Sequence, residues 1–159
     1  MKAPMQRREF ITLLGGAAAW PLAARAQQAG PMRRVGTLMV GDENDPAGKT
    51  FLSAFIQALA GFGWTDGRNV RMGLRWGRFD NNRIQALAQE LVGLQPDIIL
   101  SGGTAATAAV QKATRTIPIV FAGAGDPVAM GIVPALNRPG GNITGFANLE
   151  GSRRGFGWN

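Results

Sequence analysis

Asp97–Val128 reads DIILSGGTAATAAVQKATRTIPIVFAGAGDPV and uses one structural device twice. An apolar run, Asp97–Leu100, passes through Ser101-Gly102-Gly103-Thr104 into a small-residue helical pattern. A second run, Ile117–Ala122, passes through Gly123-Ala124-Gly125-Asp126-Pro127 into another. A buried strand feeding a Gly-rich turn and then a helix is the unit of an open parallel α/β sheet. Ligands of such sheets sit at the carboxyl ends of the strands. Glycine permits the sharp turn and the close approach of a ligand to the backbone. Thr104 can cap the helix it opens, and free N–H groups at a helix start attract a carboxylate or phosphate. Two such loops on one sheet edge point to a small-molecule site rather than to plain connections.

Working outward, the chain keeps alternating. Arg34–Val40 is a first strand, with Gly41–Asp45 as its exit loop. Lys49–Gly61 places Phe51, Leu52, Phe55, Ile56 and Leu59 on one helical face, and Gly61 and Gly63 stop it. Asn69–Trp76 alternates Val70, Met72, Leu74 and Trp76 with Arg71, Gly73 and Arg75, a strand with one polar face near the sheet edge. Trp64 and Trp76 read as packing residues. Asn81–Leu94 is an amphipathic helix closed by Pro96. Helices over Thr104–Thr114 and Val128–Leu136 follow, and Pro139-Gly140-Gly141 turns the chain into a last strand, Asn142–Phe146. Five strands alternating with four helices give an α/β fold, an open and mostly parallel sheet with helices on both faces.

Composition narrows the chemistry. The 159 residues are 45% hydrophobic and 17% charged, enough for one cored domain. There is no cysteine, histidine or tyrosine. Disulfides, thiol chemistry, the usual zinc ligands and the usual neutral-pH base are therefore absent, which favours binding over catalysis and implies no metal and no cofactor. The net charge of +7 is concentrated at the ends, and residues 27–150 carry 11 basic against 9 acidic side chains. No basic stripe with interleaved aromatics remains, so nucleic acid is not an expected partner.

Residues 1–26 read as an export signal. Arg7 and Arg8 precede Glu9-Phe10-Ile11, an apolar run Ile11–Leu22 follows, and Ala24-Arg25-Ala26 gives a small-x-small cleavage pattern. The twin arginine resembles a twin-arginine translocation (Tat) address, which makes the Tat translocon a partner during export. The run falls short of the ~20 residues that span a bilayer. Cleavage after Ala26 and a periplasmic location are the expectation.

MQRREFITLLGGAAAWPLAARAQQ, ALAGFGWTDGRNV, and above all Gly125-Asp126-Pro127-Val128 and Leu136–Gly145 (LNRPGGNITG) resemble the TrpX-type family of ABC-transporter substrate-binding proteins. The resemblance covers about residues 1–150. It implies a type I periplasmic solute-binding fold whose Rossmann-like first lobe occupies residues 27–150. It also implies capture of a small solute, an amino acid or related carboxylate, for delivery to an ABC permease in the inner membrane. Carried over by position, the ligand-binding segments are Gly41–Glu43, Ser101–Ala105 and Gly125-Asp126. The candidate residues are Gly41, Asp42, Ser101, Gly103, Thr104, Ala105, Gly125 and Asp126. The Thr104 and Ala105 N–H groups suit a carboxylate and Asp126 suits an ammonium; the competing roles are a plain helix cap and a turn residue before Pro127.

The resemblance ends near Ser152. Residues 151–159 form a divergent tail, where family members continue into a second lobe, so the expectation is truncation after the first lobe. A vestigial exported protein without transport activity is the alternative. A Rossmann-like enzyme fits less well, since Gly41-Asp42-Glu43-Asn44 after the first strand is not G-x-G-x-x-G and Ser101 and Thr104 have no histidine to activate them.

Overall fold

A computed structural model describes residues 31–147. The chain divides into two units, Met1–Pro31 and Met32–Asn159, and the fold below belongs to the second. The elements are β1 (Arg33–Met39), α1 (Pro46–Gly61), β2 (Val70–Trp76), α2 (Asn81–Gly93), β3 (Ile98–Gly102), α3 (Thr104–Ala113), β4 (Ile119–Ala124) and β5 (Ile143–Ala147). All five strands are parallel, in the order β2-β1-β3-β4-β5. Every carboxyl end therefore lies on one edge of the sheet. The expected α/β class and open parallel sheet are what the molecule has. The export signal expected over residues 1–26, with Arg7, Arg8, Ala24 and Ala26, lies outside the described residues, as does the tail over 151–159. Among the described residues no helix is long and apolar enough to cross a membrane.

Alternation along β1 sorts the two faces. Leu38 joins Ile84, Ala88 and Leu91 of α2, Ala106, Ala109 and Val110 of α3, and Ile99, Ile119, Phe121 and Ile143 of the sheet in one buried cluster. Val35, Thr37 and Met39 point the other way, towards α1. There Trp76, in register with Met39, packs on Gly48, and Leu59 borders a hollow with Val35 and Val70. Helices thus cover both faces, but unequally. Phe51, Leu52, Phe55 and Leu59 of α1 are only half-buried and Ile56 is exposed, whereas α2 and α3 each bury a full apolar stripe. On edge strand β2 the polar face meets α2, where Arg75 pairs with Glu90 at 2.7 Å.

Capping explains where the first two helices begin. Asp45 accepts a hydrogen bond from the Ala47 N–H (3.0 Å) and Pro46 follows at the first helical position, so α1 starts three residues before the expected Lys49. Asp80 accepts from the N–H groups of Asn82 and Arg83 at the start of α2. Strand β4 starts at Ile119, beyond Pro118, which has no N–H to donate; the Ile119 N–H bonds to Asn142 O (2.8 Å). In the middle of the pair, Gly145 lies so close to the Phe121 backbone and ring that any Cβ would collide with them.

One expected element does not form. Val128–Leu136 is a chain of turns, so the described residues hold three helices, not four. Gly131 sits at φ 67°, outside the right-handed helical region, and Pro134 would remove a helical donor. The segment instead folds back on Pro127, whose carbonyl accepts from Ile132 (2.8 Å) and Val133 (3.1 Å). Both apolar side chains enter the core, and Gln111 Nε2 donates to Ile132 O at 2.6 Å. Ile132 and Val133 are core contacts of a tied loop, while Val128, Met130 and Leu136 stay exposed.

Candidate functional site

Loops at the carboxyl edge are linked side by side into one rim. The Val40 N–H donates to Gly102 O (3.0 Å), joining the ends of β1 and β3, and the Gly103 N–H donates to Ala122 O (2.9 Å), joining β3 to β4. Across the next gap the Gly125 N–H donates to Thr104 Oγ1 at 3.1 Å. The two Gly-rich loops therefore touch, on the same edge, with Gly41 and Asp42 one strand away.

The residues differ in what they offer. Gly103 takes φ 92°, and a side chain there would run into Val40; glycine lets β3 turn into α3 this abruptly. That turn alters the expected role of Thr104. Gly103, not Thr104, occupies the cap position, and no side chain caps α3. Thr104 instead spends its hydroxyl on Gly125, holding the two loops together. The first-turn N–H groups of Thr104 and Ala105 are left facing the rim without a capping side chain, the arrangement that attracts an anion.

Ser101 is fully buried, its hydroxyl 3.0 Å from Thr107 Oγ1, so it supports the loop from beneath. Asp126 is exposed and closes its own turn, one carboxylate oxygen accepting from Val128 (3.2 Å) and Ala129 (3.0 Å). Asp42 does the same with the Asn44 N–H at 2.6 Å. Among the described residues the second oxygen of each carboxylate has no hydrogen-bond partner, which leaves it available to a cation. Among the described residues no cluster of side chains could hold a metal ion.

A fourth loop belongs to the rim and was missed in the sequence. Gly77–Asp80, at the exit of β2, is pinned to the exit of β1 by the Arg78 N–H on Gly41 O and the Phe79 N–H on Val40 O, both 2.8 Å. Arg78 also pairs with Glu43 at 2.8 Å. Arg78 (φ 55°) and Phe79 (φ 58°) are both left-handed, and Phe79 is 67% exposed. Two consecutive non-glycine residues in that region cost about 1–2 kcal/mol each. They persist only where the surroundings over-determine them, and such strain gathers at ligand clamps. The available signal was spacing: Trp76 ends β2 and Asp80 caps α2, which leaves only Gly77, Arg78 and Phe79 to reverse the chain.

Asp97 lies at the opposite edge. The Arg34 N–H (2.8 Å) and Arg33 Nη1 (2.9 Å) both donate to Asp97, which holds its carboxyl below the usual carboxylate range. This pins the starts of β1 and β3 and takes no part in the rim.

Comparison with known proteins gives the rim a context. The family model described as ABC transporter substrate binding protein matches residues 43–153. A tyrosine-binding protein of Clostridioides difficile (strain R20291) is 35% identical over 94 residues, which is 59% of this chain and 27% of that protein. Two solved structures are each 28% identical and cover 74% of this chain and 39% of their own. One is a conserved domain protein from Vibrio cholerae (TM-score 0.71); the other is the ligand-free, open form of a substrate-binding protein with adhesive properties from Clostridium difficile (TM-score 0.70). The chain thus spans about a quarter to two fifths of the length of these relatives.

Proposed function

We propose, on the premise that this chain belongs to the ABC transporter substrate-binding protein family, that its carboxyl-edge rim is one wall of a small-solute site. The solute is an amino acid or related carboxylate, and it is delivered to an ABC permease. The observation that carries this is the uncapped start of α3, set on a glycine at φ 92° among the loops that leave β1, β3 and β4. A solute carboxylate fits the Thr104 and Ala105 N–H groups, exposed Gly125 allows backbone approach, and Gly41 and Gly103 make room for Asp45 and Val40 in the tight loops; an ammonium fits the Asp42 and Asp126 oxygens that have no partner among the described residues. Ser101 acts by holding the loop. The tyrosine-binding relative supports an amino acid as the solute, and the exposed Phe79 ring supports an aromatic one.

The family is one of solute binders, so binding without turnover is the activity proposed. Residues 27–150 are read as the binding lobe. Residues 1–26 are read as a signal addressed to the Tat translocon and cleaved after Ala26, giving a periplasmic protein; the Arg7-Arg8 pair and Ala24-Arg25-Ala26 support this.

Ala105→Asp tests the site. An acidic residue in the first helical turn interacts favourably with the helix dipole, and because Ala105 borders the core, the amide spectrum of the variant is checked first for an intact fold. The same charge repels a solute carboxylate. In chemical-shift titrations with tyrosine and other amino acids, the variant is expected to bind about tenfold more weakly or not at all. Unchanged affinity in a well-folded variant would remove the helix start from the site.

A further inference from the structure

The sheet's amino-terminal edge holds a hollow that the solute reading does not use. On β1 and β2, Arg34 is in register with Arg71 and Gly36 with Gly73. Register partners in a parallel pair share a face, here the face covered by α2, so two glycines lie side by side below two guanidinium groups. The glycines leave the sheet bare, and Leu91, Leu94 and Pro96 at the end of α2 border a half-open hollow of about 240 Å³. The two glycines differ. A Cβ on Gly36 would touch Pro96 at 3.4 Å and Leu91 at 3.5 Å, so it serves close packing; a Cβ on Gly73 would meet nothing nearer than Val35 O at 3.9 Å, so it faces open space.

The electrostatics are unbalanced. Like charges directly opposite across two strands repel. The acidic groups nearby are engaged elsewhere: Asp97 with Arg33 and the Arg34 N–H, and Glu90 with Arg75. Among the described residues neither Arg34 nor Arg71 forms an ion pair. The carbonyl end of α2 adds roughly half a negative charge, and Arg34 Nη1 lies 3.5 Å from Leu94 O. That offsets part of one guanidinium and leaves Arg71 uncompensated at the mouth.

We propose that this hollow is a second binding site, for a monocarboxylate with a compact apolar body. The carboxylate bridges the Arg34 and Arg71 guanidinium groups, and the body lies over Gly73 against Leu91 and Leu94. The volume is below the ~300 Å³ at which drug-sized sites begin, which suits an occupant of about the size of benzoate. The site does not depend on the rim and lies at the other end of the strands.

The test is a chemical-shift titration of the isotope-labelled chain with benzoate, benzamide and acetate. Benzoate is expected to move the Gly36 and Gly73 amides, with benzamide and acetate each at least tenfold weaker, because one lacks the charge and the other the body. Arg71→Gln, an exposed change that cannot unfold the sheet, is expected to weaken benzoate about tenfold. Gly73→Val fills the open space and is expected to abolish binding, while Ala105→Asp at the rim leaves it unchanged. The proposal is overturned if benzamide or acetate binds as well as benzoate, if Arg71→Gln has no effect, or if the perturbed amides are those of Gly103–Ala105 or none at all.

Discussion

Thr37 sits in the middle of β1, fully buried, and its hydroxyl has no hydrogen-bond partner among the described residues. A buried polar group without a partner costs about 1–3 kcal/mol. Thr37→Val keeps the branched shape and removes the orphan, so a rise in stability of about 1 kcal/mol is expected in denaturant melts; a loss would mean that the hydroxyl is satisfied. Asp97 works in the other direction. Its folded carboxyl titrates lower than in the unfolded chain, so its stabilising contribution is complete above the ordinary carboxylate range. That contribution is lost as pH falls through the lowered value. Asp97→Asn should therefore melt below the wild type at neutral pH, and the gap should close on acidification below about pH 4. A gap constant from pH 7 to pH 3 would show that the charge does not matter.

At the scale of elements, the β2 exit loop carries the clearest conflict between stability and use. Phe79→Gly relaxes a left-handed residue and should hold or raise the melting temperature. If the ring contacts solute, the same variant should lose affinity for aromatic amino acids and keep it for small ones. A parallel loss for both would make the loop a scaffold only. This loop also marks the limit of what the residues disclosed. Strands were legible because buried parallel strands are short apolar runs, as at Ile98–Gly102, and α2 was legible from its spacing and from Pro96. Val128–Leu136 misled because core contacts from a tied loop can imitate helical spacing, although Gly131 and Pro134 were there to forbid it. Of the candidate site, the two Gly-rich loops could be placed on one edge. What escaped was the use of each polar group, since Thr104 binds Gly125 and Asp126 its own turn, and such choices depend on neighbours distant in the chain.

For the molecule as a whole, coverage of the sheet is lopsided. On the α1 side, Phe146 is 78% exposed and its neighbour Thr144 is open as well, while β5 has β4 as its one strand partner among the described residues. Val128, Met130 and Leu136 add exposed apolar surface nearby in sequence. An apolar edge strand of this kind is a template for pairing. Sedimentation of the purified chain is expected to show concentration-dependent self-association that Phe146→Lys suppresses. A monomer at all concentrations, or an unchanged association in the variant, would place the contact elsewhere.

The strand order also governs how the sheet can be made. Strand β1 leaves the ribosome first and stands between β2 and β3; every later strand then adds outward on the same side. No newcomer has to be inserted between strands already paired, so assembly can keep pace with synthesis at ~5–20 residues per second without undoing earlier steps. The two-helix cover of α2 and α3 arrives between the strands it protects. Shortening the chain from its carboxyl end accordingly takes strands from the growing tip, β5 and then β4, and leaves β2, β1 and β3 paired as they were.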